Sequence, residues 1–321
     1  MNTEQTFSTE WLGRTLTIKT GKLAKQATAA VTVQYGDTVV LATVVESKTE
    51  RQGINFFPLL VDFEERLYAA GIIKGSRWIK REGRPSDESI LTGRMIDRAI
   101  RPLFSDESRK DVQVIITVLS ADGQNDHDIV ALVAASAALS LSGLNWVGPI
   151  AGVRVGRADG RLLFNPTYEE RAKCDLDLIV AGTEKKVIML EAGANEIKEE
   201  EILQAILAGQ KELQAAIALI KKLKDKLPRE QSAETKKLMT EEEIKIDQEK
   251  EKVNELALEW LKNNVKKILF DKIYYTKGER KAAVTAIKQG LEEYLFNQGI
   301  GKDGRSQVIN DLVEPEVEAE F

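Results

Sequence analysis

The sequence predicts an α/β fold (α+β in detail), mixed sheets with packed helices, followed by a small all-α domain. Three observations predict it. Short β-branched runs alternate with helical runs through the first two thirds of the chain, which is the pattern of sheets covered by helices. The segment from Asp128 to Leu141 is alanine-rich and apolar on nearly every side, so it belongs between layers. After Leu227-Pro228 the composition shifts to Glu, Lys, Ala and Leu. A length of 321 residues fits about two domains, and the shift divides them into residues 1–228 and 229–321.

Each element has its own warrant. Leu16–Lys19 and Ala30–Val33 alternate apolar and polar side chains, Gly36-Asp37 supplies a turn, and Thr38–Val45 is a β-branched buried strand. Phe56–Phe63 continues the sheet, with Pro58 marking an edge or a bulge. Val112–Leu119, Ile150–Val155, Arg161–Phe164, Leu176–Val180 and Lys186–Leu190 are further strands, with Asp159-Gly160 a hairpin signal. Helices are expected from about Ser86 to Arg101, stopped by Pro102, from Asp128 to Leu141, and from Glu196 past Lys221. Arg229–Lys236 reads as a polar linker. Two amphipathic helices are expected beyond it, one around Val253–Leu261 and one over Ala282–Leu295. The acidic end, Glu314–Phe321, shows no turn or cap signal.

Composition excludes several classes of function. Hydrophobic residues make up 43% of the chain, which rules out wholesale disorder. The net charge of -5 excludes a globally basic nucleic-acid binder but allows a local basic patch. The longest apolar stretch, Ile129–Leu141, is interrupted by serines and falls short of the roughly 18 residues a membrane span needs, and no leader pattern opens the chain, so no membrane partner is expected. Cys174 is the only cysteine, so no internal disulfide forms and a reducing cytoplasm is the natural setting. One histidine, His127, argues against a Ser/His/Asp site and, with one cysteine, against a Cys/His zinc site.

The chemistry concentrates between Lys74 and Pro102. Eight basic residues (Lys74, Arg77, Lys80, Arg81, Arg84, Arg94, Arg98, Arg101) face four acidic ones (Glu82, Asp87, Glu88, Asp97). On a helix, Arg94, Arg98 and Arg101 fall within an arc of roughly 60°. Met95, Ile96, Ala99 and Ile100 lie on the other side. Guanidinium is permanently charged and fork-shaped, which suits phosphate oxygens. Upstream, Trp78 sits among cations in a glycine-flanked loop, a combination that stacks bases and tracks the backbone of a single strand. The alternative is a solvated face whose arginines pair with carboxylates. Asp122, Asp126 and Asp128 are either oxygen ligands for a divalent ion or, for Asp126 or Asp128, a helix cap. His127 reads as a surface residue at a helix start. Asp62, Glu64 and Glu65 are a carboxylate cluster or a strand end with a partner for Arg66. Gly299–Gly304 matches G-x-G-x-x-G but follows a helix rather than a strand, so it is set aside.

Those segments carry a resemblance. Glu65–Gly71, Lys80–Ser86, Arg94–Phe104, Asp126–Ala131, Ala134–Ser142 and Leu176–Thr183 resemble the polynucleotide phosphorylase (polyribonucleotide nucleotidyltransferase) family, strongly over about residues 8–225. The resemblance implies a first ribonuclease PH-like core and a helical domain, with a second core and RNA-binding modules expected beyond Phe321. It implies phosphorolytic 3′-to-5′ exoribonuclease activity in mRNA degradation, with inorganic phosphate as co-substrate and Mg2+ as cofactor. Single-stranded RNA, a homotrimer and proteins of RNA-degradation complexes are the implied partners. The main catalytic residues and metal ligands belong to the second core, so no metal ligand is expected in this chain. Arg94, Arg98 and Arg101 would support the site, and Trp78, Lys80, Arg81 and Arg84 would bind RNA. Where the family has two phenylalanines before two basic residues, this chain has Trp78-Ile79-Lys80-Arg81. One ring remains to stack a base, an interaction worth about 1–3 kcal/mol. With the second core absent, a non-catalytic RNA-binding or assembly half is the alternative.

Overall fold

The structure is a computed structural model that describes residues 4–51, 54, 56–73, 83–105, 108–227, 241–270, 274 and 276–319. The chain divides into two compact units, residues 1–235 and 236–321.

The first unit holds two sheets. A six-stranded sheet runs β1 (Gln5–Trp11), β2 (Arg14–Thr20), β3 (Ala29–Tyr35), β4 (Thr38–Glu50), β6 (Lys110–Ser120) and β5 (Leu59–Glu64) in spatial order. All its pairings are antiparallel except β5 on β6. Pro58 precedes an edge strand, where a missing N–H costs no ladder bond. A four-stranded antiparallel sheet has the order β10 (Val187–Ala194), β9 (Leu176–Gly182), β7 (Ala151–Ala158) and β8 (Arg161–Phe164). Asp159 and Gly160 both take positive φ, 50° and 73°, the geometry a two-residue hairpin turn demands. β1 is a strand that the sequence reading did not assign.

Helix α1 (Asp87–Ile100) packs on β5, and α2 (His127–Ser142) packs on β3 and β4 of one sheet and β7 of the other. α2 therefore lies between the layers, which explains why its apolar residues leave no polar face. Its one wholly buried serine is satisfied: the Ser136 hydroxyl accepts from the Ile150 N–H at 3.0 Å. After the single turn α3 (Tyr168–Arg171), the expected long helix is two, α4 (Glu199–Glu212) and α5 (Gln214–Lys226). The chain breaks at fully buried Leu213, where the packing shifts. α4 lies on β7, β8 and β9, and α5 lies mainly on β1 and α2, with a smaller contact to β7.

The second unit contains α6 (Glu241–Leu269), α7 (Lys277–Asn297) and α8 (Lys302–Ala319), packed around Leu261, Ile287, Leu291 and Val313. The acidic end, which shows no turn or cap signal in the sequence, continues α8 as far as Ala319. The glycine-rich stretch is the turn before it: Gly299 sits at φ 79° and ends α7, and no phosphate loop forms. The linker expected at Arg229–Lys236 lies outside the described residues.

Candidate nucleic-acid interface

The sequence of α1 determines what it shows to solvent. Ser86 caps the helix, accepting from the Ser89 N–H at 3.0 Å, and its hydroxyl donates to Glu65 at 3.0 Å. Met95, Ile96, Ala99 and Ile100 are buried against the sheet. Arg94 and Arg98 point outward, as the spacing requires.

The three arginines nevertheless differ. Arg94 is exposed and makes no ion pair or hydrogen bond among the described residues. Arg98 is half-exposed, contacts Glu191 at 3.1 Å and donates to the Leu190 carbonyl at 3.1 Å. Arg101 is a clamp. It holds Asp97 through two bonds of 3.0 and 2.6 Å and donates to the carbonyls of Phe57 and Leu59, tying the end of α1 to the start of β5. Arg84 is exposed just before α1. Trp78, Lys80 and Arg81 lie outside the described residues.

Beside α1 opens a cleft of about 410 Å3, walled by α1, the start of α2, α3 and strands β7, β9 and β10. Its floor is a charge network. Arg154 of β7, almost fully buried, lies 2.5 Å from Asp126, 2.6 Å from Asp177 and 3.5 Å from Asp128. Arg171 reaches Asp177 at 2.7 Å and Asp126 at 3.5 Å. Asp126 caps α2, accepting from the Asp128 N–H at 3.1 Å, as one of the two sequence alternatives held. His127 meets Glu65 at 2.9 Å, Asp128 at 3.4 Å and the Tyr168 hydroxyl at 3.4 Å. Glu64 pairs with Arg66 at the strand end.

Burial alone would push these groups toward neutrality, and their neighbours decide the outcome. Burial lowers the His127 pKa, but the hydrogen bond to Asp126, the charge of Asp128 and the bond to Glu65 raise it to about 9. Burial raises Asp126, yet His127 and Arg154 hold it below the ordinary carboxylate range. Burial and the Asp126 charge both raise Asp128, to about 6.

Comparison with known proteins gives this arrangement a family. Residues 13–145 match the 3′ exoribonuclease family, domain 1 (RNase PH), and residues 148–212 match domain 2 of the same family. The chain belongs to the 3′ exoribonuclease family. It is 56% identical over 214 residues to a polyribonucleotide nucleotidyltransferase of Heliobacterium modesticaldum, covering 67% of this chain and 30% of that protein. It is 43% identical over 320 residues to the one from Staphylococcus saprophyticus, covering 98% of this chain and 44% of that protein. The chain thus spans less than half the length of these curated relatives. A crystal structure of rice (Oryza sativa) Rrp46 superposes with TM-score 0.51 at 16% identity, over 70% of this chain and 94% of that one. This likeness shows a shared ribonuclease PH-like fold.

In this 3′ exoribonuclease family member, Asp126, His127 and Asp128 present ligand atoms within 4.8 Å of one another, the one such group among the described residues. They do not fit magnesium. A hard cation takes oxygen ligands, and here the Asp126 carboxylate is held by two guanidiniums while the imidazole keeps its proton to about pH 9. The sequence reading missed Arg154, Arg171, Tyr168 and Asp177, and took His127 for a surface residue. One signal was available: Arg154 interrupts an otherwise apolar strand, Ala151-Gly152-Val153-Arg154-Val155, where a cation survives burial only if carboxylates meet it.

Proposed function

We propose that this chain is part of a polyribonucleotide nucleotidyltransferase, a phosphorolytic 3′-to-5′ exoribonuclease of mRNA degradation. The observation that carries this reading is the 43% identity that extends over 98% of the chain to a protein of that name. In the proposed reaction an oxygen of inorganic phosphate attacks the phosphorus of the 3′-terminal phosphodiester. The P–O3′ bond breaks, a nucleoside 5′-diphosphate leaves, and the freed O3′ takes a proton. Magnesium would be held by residues other than those described here.

In this reading the α1 face guides RNA. Arg94, Arg98 and Arg84 contact sugar-phosphate, with Trp78, Lys80 and Arg81 continuing the track, while Arg101 acts through the position of α1. Arg94 and Arg98 lie on a helix seated against a sheet, so they meet RNA with little loss of backbone freedom. A homotrimer in the cytoplasm, joined by proteins of an RNA-degradation complex, completes the proposal. No helix among the described residues is long and apolar enough to cross a membrane.

The test is phosphorolysis of a homopolymer RNA by the purified chain with phosphate and magnesium, read as nucleoside diphosphate release. Release supports the enzyme reading. Binding without release assigns the chain to an RNA-binding half, the second reading. Arg94→Ala is expected to weaken RNA binding and to lower the slope of log affinity against log salt by about one. Arg101→Ala should leave that slope unchanged. An unchanged slope in Arg94→Ala removes the α1 face from the RNA track.

A further inference from the structure

We propose that the end of the second unit where α6 stops and α7 starts is a further binding surface for single-stranded RNA. The proposal rests on the reading of the chain as part of an RNA-handling enzyme, but on none of the residues placed on the α1 face.

Helix packing brings two charged segments together. Trp260 of α6 stacks on Tyr294 of α7 with ring centroids 6.3 Å apart, and a Cβ at Gly290 would meet the Trp260 ring at 2.9 Å. Val265 and Leu269 of α6 are buried in the same cluster as Ala283 and Ile287 of α7. The helices therefore run antiparallel, and the last turns of α6 share one end of the unit with the first turns of α7, joined by residues 270–276.

Charge is sorted on this frame. α6 carries Glu255 and Glu259 and then changes sign at Lys262, Lys266 and Lys267. Arg280 and Lys281 stand near the start of α7. All five cations are exposed. Lys262, Lys267 and Lys281 make no ion pair among the described residues. The one carboxylate among the described residues from 262 to 281, that of Glu279, accepts from the Thr276 N–H at 3.2 Å in the capping box of α7. The helix macrodipole accounts for cations at the end of α6, but it disfavours them at the start of α7. Arg280 and Lys281 thus sit against a local preference, and a local rule broken on a well-packed element marks a functional surface.

An aromatic ring completes the pattern. Helical hydrogen bonding reaches Phe270, whose N–H donates to the Lys266 carbonyl at 3.0 Å, so Lys262, Lys266 and Phe270 recur at four-residue spacing along one face. Phe270 is 57% exposed. Cations that track a backbone, beside a ring on which bases stack, are what single-strand binding requires. A bilayer finds little to hold, because Val265, Ile268 and Leu269 at this end pack into the unit.

The experiment measures poly(rA) binding to the whole chain over a series of salt concentrations. Lys267→Ala combined with Lys281→Ala is expected to lower the slope of log affinity against log salt by about 1.4, about 0.7 for each phosphate contact to a single strand. Arginine at both positions keeps the charge and should keep the slope. Phe270→Ala is expected to weaken binding about fivefold or more with the slope unchanged. An unmoved slope in the double alanine variant, with Arg94→Ala still lowering it, overturns this surface and leaves the α1 face in place. Phe270→Ala binding as tightly as wild type removes the stacking contact and with it the single-strand assignment. Loss of binding to phosphatidylglycerol vesicles in the double alanine variant, with poly(rA) binding intact, assigns the cations to a membrane and also overturns the proposal. Failure of the wild-type chain to bind poly(rA) defeats both surfaces together.

Discussion

Arg154→Ala is expected to destabilise the first unit by about 3–5 kcal/mol, the cost of breaking a buried ion pair by removing one partner. The side chain is 5% exposed and meets three carboxylates at 2.5, 2.6 and 3.5 Å. Asp126, with a side chain 6% exposed, would keep Arg171 at 3.5 Å, His127 at 3.8 Å and the Asp128 N–H. Burial favours a neutral carboxyl, and Arg154 is among the groups holding Asp126 ionised. The variant therefore either buries an undercompensated charge or takes up a proton. Arg154→Lys should recover little, because a single ammonium cannot span carboxylates that a planar fork reaches from Nε, Nη1 and Nη2. Native-state hydrogen exchange at the amides of Val153 and Val155 on β7 reads the first unit separately from the second. A loss below about 1 kcal/mol would mean that water already screens the network.

The parts of the fold that could be read from sequence are those where local pattern and tertiary environment agree. Val31, Val33, Val40, Ala42 and Val44 alternate with half-exposed neighbours in β3 and β4, and all five are buried. The α1 face followed from spacing because Met95, Ile96, Ala99 and Ile100 meet the core while Arg94 and Arg98 do not. Where pattern and environment diverge, the reading fails. β1 carries Thr6, Ser8 and Glu10 on its open side and only Phe7 and Trp11 as buried anchors, so its composition looks like a loop. α8 contains Pro315 and a glycine-rich approach, both breaker signals, yet Val308, Ile309, Val313 and Val317 close the second core. The charge network was the least legible part, because its members come from α2, β7, α3 and β9. Sequence spacing says nothing about residues 126, 154, 171 and 177 meeting, and Arg101 shows the converse. Its helical phase matches that of Arg94 and Arg98, but a carboxylate four residues earlier and the carbonyls of Phe57 and Leu59 engage it.

Raising the pH from 7 to about 10 is expected to cost the first unit about 2–3 kcal/mol, and His127→Gln is expected to flatten that slope. Burial opposes the charged imidazole, but Asp126, Asp128 and Glu65 together hold its pKa at about 9 against 6.5 in the unfolded chain. A group that binds its proton more tightly when folded stabilises the protein fully below the unfolded value. That contribution is lost as the pH rises through the folded value. At about 1.4 kcal/mol per unit, most of the effect falls between pH 7 and 10. The neighbours do not cancel it. Asp126, held low, and Asp128, raised to about 6, are both already ionised at pH 7, so their contributions are constant across the window. Arg154 and Arg171 keep their charge throughout. Burial raises the Tyr168 hydroxyl beyond the window. Because His127 is the only histidine in the chain, its ring protons titrate without overlap in a proton NMR experiment. A measured pKa near 6.5 would detach the imidazole from the carboxylates that surround it and remove the predicted slope. A value near 9 with an unchanged slope in His127→Gln would place the pH dependence elsewhere in the fold.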